Sequence, residues 1–183
     1  MKILTFIIIF LTLFVIFTCV KKDDDGFFLF KIKKGNHRST NRIHFTKKNN
    51  LNFSFILTES CIYKLENKEN QYDVNKLFGM SDGGNHMDNS ARLGWRYLDG
   101  KLEILGYTHY NKQFDFEKIC DVEPNVEYNC QISFLEGKYR FIVGSNTLEM
   151  GRFMDKNKRN YILYPYFGGD EVSPHDMVIK IKY

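Results

Sequence analysis

The chain has 183 residues, 43% hydrophobic and 16% aromatic, with a formal net charge of +4 from 26 Lys and Arg against 22 Asp and Glu. That size suits one domain with one core. Nearly balanced charge, with no Lys/Arg run longer than two, excludes a nucleic-acid partner of the usual basic-patch kind. Seventeen Phe and eleven Tyr against three Pro, with Gly spaced between short apolar runs, favour strands over helices.

At the amino terminus, Lys2 precedes the apolar run 3–17, followed by Thr18, Cys19, Val20 and the charged cluster Lys21, Lys22, Asp23, Asp24, Asp25. A basic start, an apolar stretch and an abrupt polar boundary predict an export segment outside the fold. The boundaries are a signal over 1–18, a short acidic tether over 19–26 and a domain over 27–183. With Cys19 closing the apolar stretch, the segment resembles a bacterial lipoprotein signal, although Thr18 stands where Gly, Ala or Ser is usual. Lys followed by acidic residues after the Cys resembles the export signal of surface lipoproteins in Bacteroidota. The resemblance implies a lipid on Cys19 and a domain on the cell envelope, at the outer membrane or cell surface. The alternatives are an uncleaved membrane helix over 3–20, close to the roughly 20 residues a bilayer requires, and a secreted soluble protein.

The body reads as strands. Residues 27–33, FFLFKIK, form a first candidate, 42–45 a second, and 51–57 a third with Leu51, Phe53, Phe55 and Leu57 on one face. Residues 61–65 form a short further strand, while Gly79, Gly83 and Gly84 mark 74–89 as a long irregular loop. In ARLGWRYL, Leu93, Trp95 and Tyr97 share one face and Arg92, Gly94 and Arg96 the other, and Asp99-Gly100 turns the chain into KLEILGYTHY. Residues 114–121, 127–135 and 138–143 follow, the last two joined at Glu136-Gly137. Tyr128, Cys130, Ile132 and Phe134 alternate with Asn129, Gln131 and Ser133. Met177, Ile179 and Ile181 alternate with Lys180 and Lys182, so 161–183 closes the sheet as a hairpin.

Roughly ten short strands at hairpin spacing predict an all-β, antiparallel two-sheet sandwich. With this strand count and one polar face rich in Arg, Tyr, Asn and Gln, residues 27–183 resemble the concanavalin-like lectin and glucanase jelly roll in architecture. No catalytic signature of the glucanases or of the alginate-lyase group accompanies the resemblance, so no family residue carries over. An immunoglobulin-like sandwich is the alternative, weakened by the length and by the lack of a Cys, Trp, Cys arrangement.

No catalytic residue is assigned. Arg92, Arg96, Tyr107, His109 and Gln131 supply groups able to bind a sugar or to neutralise a uronate carboxylate. Tyr164 and Tyr166 join them as stacking rings if Tyr161, Leu163, Pro165 and Phe167 face the core; alternation assigns Trp95 to the core. Glu103, Asp115 and Glu117 lie in strands without the pattern of a hydrolytic pair. His175-Asp176 reads as a turn, with Asp176 capping it.

No cofactor is expected, apart from structural calcium on Asp82, Asn85 and Asp88 as one reading of the DGGNHMDN loop, and no Cys has zinc-ligand spacing. If Asn125 centres a hairpin, Cys120 and Cys130 oppose each other and a disulfide is geometrically allowed. Buried free thiols at Cys61, Cys120 and Cys130 are the alternative. These features point to a membrane-anchored envelope protein that binds glycan or another ligand. A small polysaccharide lyase and a structural lipoprotein contacting another envelope protein are the alternatives. A lyase requires His109 or a Tyr hydroxyl beside a groove that also holds Arg92 or Arg96.

Overall fold

A computed structural model describes residues 22–40, 42–153 and 159–183. The expected signal over 1–18 and Cys19 lie outside them. The first strands are β1 (Phe28–Ile32), β2 (Phe45–Thr46), β3 (Asn50–Leu57), β4 (Asn75–Ser81), β5 (Asn89–Leu98) and β6 (Lys101–Tyr110). They are followed by β7 (Gln113–Val122), β8 (Tyr128–Leu135), β9 (Lys138–Val143), β10 (Asn146–Gly151), β11 (Asn160–Leu163) and β12 (Met177–Lys182). Two antiparallel six-stranded sheets result, in the orders β1-β12-β3-β8-β9-β10 and β2-β11-β4-β5-β6-β7. The chain crosses between them repeatedly, and this gives the two-sheet sandwich that the alternation predicts.

The core is the seam where the apolar faces meet. Phe55, Ile132, Phe141 and Ile179 from the first sheet and Phe78, Leu93, Trp95 and Ile104 from the second are fully buried there. Gln131 and Ser133 flank Ile132, and Arg92 and Arg96 flank the Leu93–Trp95 pair, so a one-residue slip in β8 or β5 would bury polar or charged side chains. At the β5–β6 turn, Asp99 and Gly100 both have positive φ, at 50° and 80°. This backbone matches the twist of the flanking strands. Asn111 and Lys112 adopt the same form at the next turn, with φ of 47° and 66°.

Several local expectations are corrected. Residues 61–65 form no strand; a single 3-10 turn at Glu59–Cys61 leads into irregular chain. The supposed loop 74–89 contains β4, and Gly79 is a site of close approach: a Cβ there would stand 2.7 Å from Arg92 Cγ. Residues 161–183 are no hairpin, because β11 belongs to the second sheet and β12 to the first. The same holds for 120–130, since β7 and β8 lie in different sheets. Asn125 has φ of 62° in that crossover, and Cys61, Cys120 and Cys130 are free thiols. Burial, and for Cys130 also the neighbouring Cys120, pushes the Cys130 thiol well above its ordinary value.

Part of the acidic tether is docked. Asp23 accepts from the backbone N–H of Phe27 at 2.8 Å and pairs with Lys180 of β12 at 2.9 Å. Lys182 Nζ donates to the Asp25 carbonyl at 3.2 Å.

Candidate functional site

The second sheet turns one face to the core and the other outward. Pairing sets Arg92 of β5 opposite Tyr107 of β6, Ser90 opposite His109, and Lys76 of β4 opposite Gly94. On β7, Phe116 lies opposite Tyr107 and Phe114 opposite His109. Alternation along β6 points Glu103, Leu105, Tyr107 and His109 outward, and a bulge at Ile119 of β7 lets both Lys118 and Asp121 meet that face. Gly79 of β4 leaves the space beside it to the Arg92 side chain, and Gly94 of β5 leaves its space to Val74 and Tyr107.

Arg92 dominates the electrostatics. It is only 7% exposed. Its Nε has no partner, and its Nη2 reaches only His109 Nδ1, at 3.5 Å. No carboxylate contacts it among the described residues. The guanidinium lies 5.6 Å from the centre of the Tyr107 ring. Burial lowers its pKa to about 10. Burial, followed by the charge of Arg92, lowers Lys76 to about 8 and His109 to about 4, so His109 is a neutral acceptor at pH 7. Lys76 Nζ donates to the Gly168 carbonyl at 3.0 Å and sits 4.9 Å above the Tyr107 ring.

Beside Arg92 lies an open groove of about 570 Å³, with Arg38, Arg42, Phe45, His86, Tyr161 and Tyr166 in its walls. Tyr161 is polarised: its hydroxyl accepts from the His86 backbone N–H at 3.1 Å and lies 2.7 Å from His86 Nδ1. Burial, then Arg92 and Arg38, lowers the His86 pKa and favours the neutral ring, whose Nδ1 in one tautomer accepts the phenolic hydrogen bond. Tyr166 stacks on His37 with ring centroids 5.1 Å apart. Carboxylates are scarce on this face. Glu103 is held by Arg96 at 2.7 Å and Lys118 at 2.8 Å, and alternation along β7 sends Asp115 and Glu117 to the opposite side from Phe114 and Phe116.

Of the residues singled out from sequence, Arg92, Tyr107 and His109 come together, with Tyr166 at the groove. Tyr107 is the floor rather than a platform: Val74 and Leu105 bury it, and Phe114 and Phe116 stack beside it. Arg96 shares the face but is committed to Glu103 and the Tyr72 carbonyl. Tyr164 turns inward against Phe30 and Phe78, because Ile162 and Tyr164, not Tyr161 and Leu163, take the core side. Gln131 lies on the first sheet, donating to Asn52 at 2.7 Å, remote from the others.

Asp82 is not available to calcium. It is buried between Arg152, at 2.7 Å, and the Tyr139 hydroxyl, at 2.9 Å, and the described residues contain no cluster of three or more His, Cys, Asp or Glu fit to hold a metal. Asp176 does not cap its own loop but ties it to the turn after β1, accepting from the Lys34 N–H at 2.9 Å and pairing with Lys31 at 2.7 Å. The sequence reading missed Lys76, His86, Tyr161, Arg38 and Arg42. It also missed Phe114 and Phe116, which are 61% and 38% exposed and whose F-D-F alternation was a visible signal.

No protein-family profile and no curated protein matches the sequence. Solved structures do. A glycoside hydrolase family 16 protein of a Bacteroides ovatus mixed-linkage glucan locus, in complex with product, is 12% identical with a TM-score of 0.58, covering 88% of this chain and 81% of its own. Alginate lyase AlyC3 is 9% identical with a TM-score of 0.59, over 85% and 72%. Alginate lyase A1-II', a member of polysaccharide lyase family 7, is 12% identical with a TM-score of 0.54, over 87% and 78%. At such identities the likeness concerns the fold alone: this chain is a jelly-roll sandwich of the concanavalin-like type.

Proposed function

We propose that this protein binds glycan chains on the outward face of its second sheet, in the groove between Phe45, Tyr161 and Tyr166. The observation that carries the reading is that open groove, walled by exposed Phe45 and half-buried Tyr161 and Tyr166, on a jelly roll shared with glycan-processing proteins. A structural protein without a ligand has no need of such a cavity. The test is a glycan array with the full chain, followed by Tyr166→Ala. Binding that Tyr166→Ala weakens supports the reading, and no binding to any glycan overturns it. Hydrolysis by paired carboxylates is disfavoured, because Glu103 is held by Arg96 and Lys118, and Asp121 opposite it by Lys101 and Lys118.

A second reading, a small polysaccharide lyase, is supported by one observation: the Tyr161–His86 pair stands in the groove that Arg92 also lines. A phenol hydrogen-bonded to a neutral imidazole can relay a proton, and a guanidinium can stabilise the charge that develops when a carbon acid is deprotonated. Unsaturated sugar products, followed by ultraviolet absorbance and abolished in Tyr161→Phe, would establish it. The setting we infer is the cell envelope, with Cys19 lipidated. Mass spectrometry of the native amino terminus tests that, and an intact Met1 would refute it.

A further inference from the structure

We propose that the glycan is anionic, carrying carboxylate or sulfate groups, and that Arg92 is the residue that selects it; this deepens the binding reading above and rests on it. The warrant is a charge without a partner. Proteins bury a guanidinium where a carboxylate or an equivalent acceptor neutralises it, since an unpaired buried ion is costly. Arg92 breaks that pattern. It is fixed on a central strand and lines the groove, and among the described residues its Nε has no partner and its Nη2 reaches only a neutral imidazole, at 3.5 Å.

The surroundings add positive charge instead of cancelling it. Arg38 and Arg42 line the same groove, no Asp or Glu among the described residues does, and Lys76 stands behind Arg92 on the neighbouring strand. Asp73 bears on Lys76 and Tyr107, and Glu103 is tied to Arg96 and Lys118, so neither serves Arg92. An acidic group seated against the groove wall would supply the missing counter-charge, while the aromatic rings hold the sugar to which it is attached.

The experiment is titration calorimetry of the full chain against three oligosaccharide series of matched length: neutral β-glucan, polyuronate and sulfated glycan. Each is run at low and raised salt, for wild type, Arg92→Met and Arg92→Lys. At least one acidic series should bind about tenfold or more tighter than the neutral one, weakening with salt. Arg92→Met should cost that series roughly 30-fold or more and leave the neutral series within about threefold, with Arg92→Lys between them. The uronate and sulfate arms identify which acid is read. Neutral glycan binding as tightly as either acid, or equal losses on all series in both variants, overturns the inference while glycan binding stands. If no series binds, the binding reading itself fails.

Discussion

Replacing Arg92 with Met should make this protein more stable. The guanidinium is buried on β5 without a counter-ion, and its pKa is lowered from 12.5 to about 10. At about 1.4 kcal/mol per pH unit, holding that charge costs the fold about 3 kcal/mol. The sign follows from protonation: the unfolded chain holds the proton more tightly, so the cost is fully present below pH 10 and is relieved only above it. Losing the guanidinium's contact with the Tyr107 ring offsets about 1 kcal/mol. The net gain of about 2 kcal/mol corresponds to a rise in Tm of about 4–8 °C for a domain of this size. Calorimetric melts at pH 7 in the same buffer would measure it. Acidic oligosaccharide should raise the wild-type Tm and leave that of Arg92→Met unmoved. A variant Tm equal to or below wild type would refute the reasoning, because Arg92 would then be satisfied within the fold.

Three further outcomes follow from individual residues. Lys76, charged below about pH 8 and neutral above it, should make affinity for acidic glycan fall about threefold between pH 7 and 9, and Lys76→Arg should flatten that profile in the same titration. Lys112, at φ of 66° in the β6–β7 turn, holds a conformation natural to Gly, so Lys112→Gly should stabilise by about 1 kcal/mol and raise Tm by about 2–4 °C. Asp82→Ala strands both Arg152 and the Tyr139 hydroxyl in a buried site and should cost about 3–5 kcal/mol, seen as a fall in Tm of roughly 10 °C or more.

The strand faces were legible where apolar and polar residues mostly alternate, as in β3, β5, β8 and β12, because one wrong step there would bury amides, hydroxyls or charges. Legibility failed where a backbone irregularity resets the alternation. Counting in twos back from Phe167 gives the wrong face for Tyr164, since the chain shifts register near Pro165 and Phe167 and Tyr164 both turn inward. Cys120 and Cys130 have the spacing of a hairpin, yet β7 and β8 belong to different layers, and spacing alone does not distinguish a turn within a sheet from a crossover between sheets. In the site, Arg92 and His109 could be named because strand alternation places them outward. Tyr161, His86 and Arg38 arrive from distant segments that only the folded arrangement brings to one groove. Gly79 read as a sign of irregular chain, whereas it marks the space that Arg92 fills.

The docking of Asp23 and Asp25 onto β12 bears on how the molecule carries load. Asp23 and Asp25 are stitched to β12 of the first sheet, while the groove belongs to the second. A pull applied between residues 23–25 and a ligand in the proposed groove would therefore run through the aromatic seam of Phe55, Phe78 and Trp95. Such a joint transmits orientation as well as force, so the direction in which the groove faces is coupled to the direction of residues 23–25.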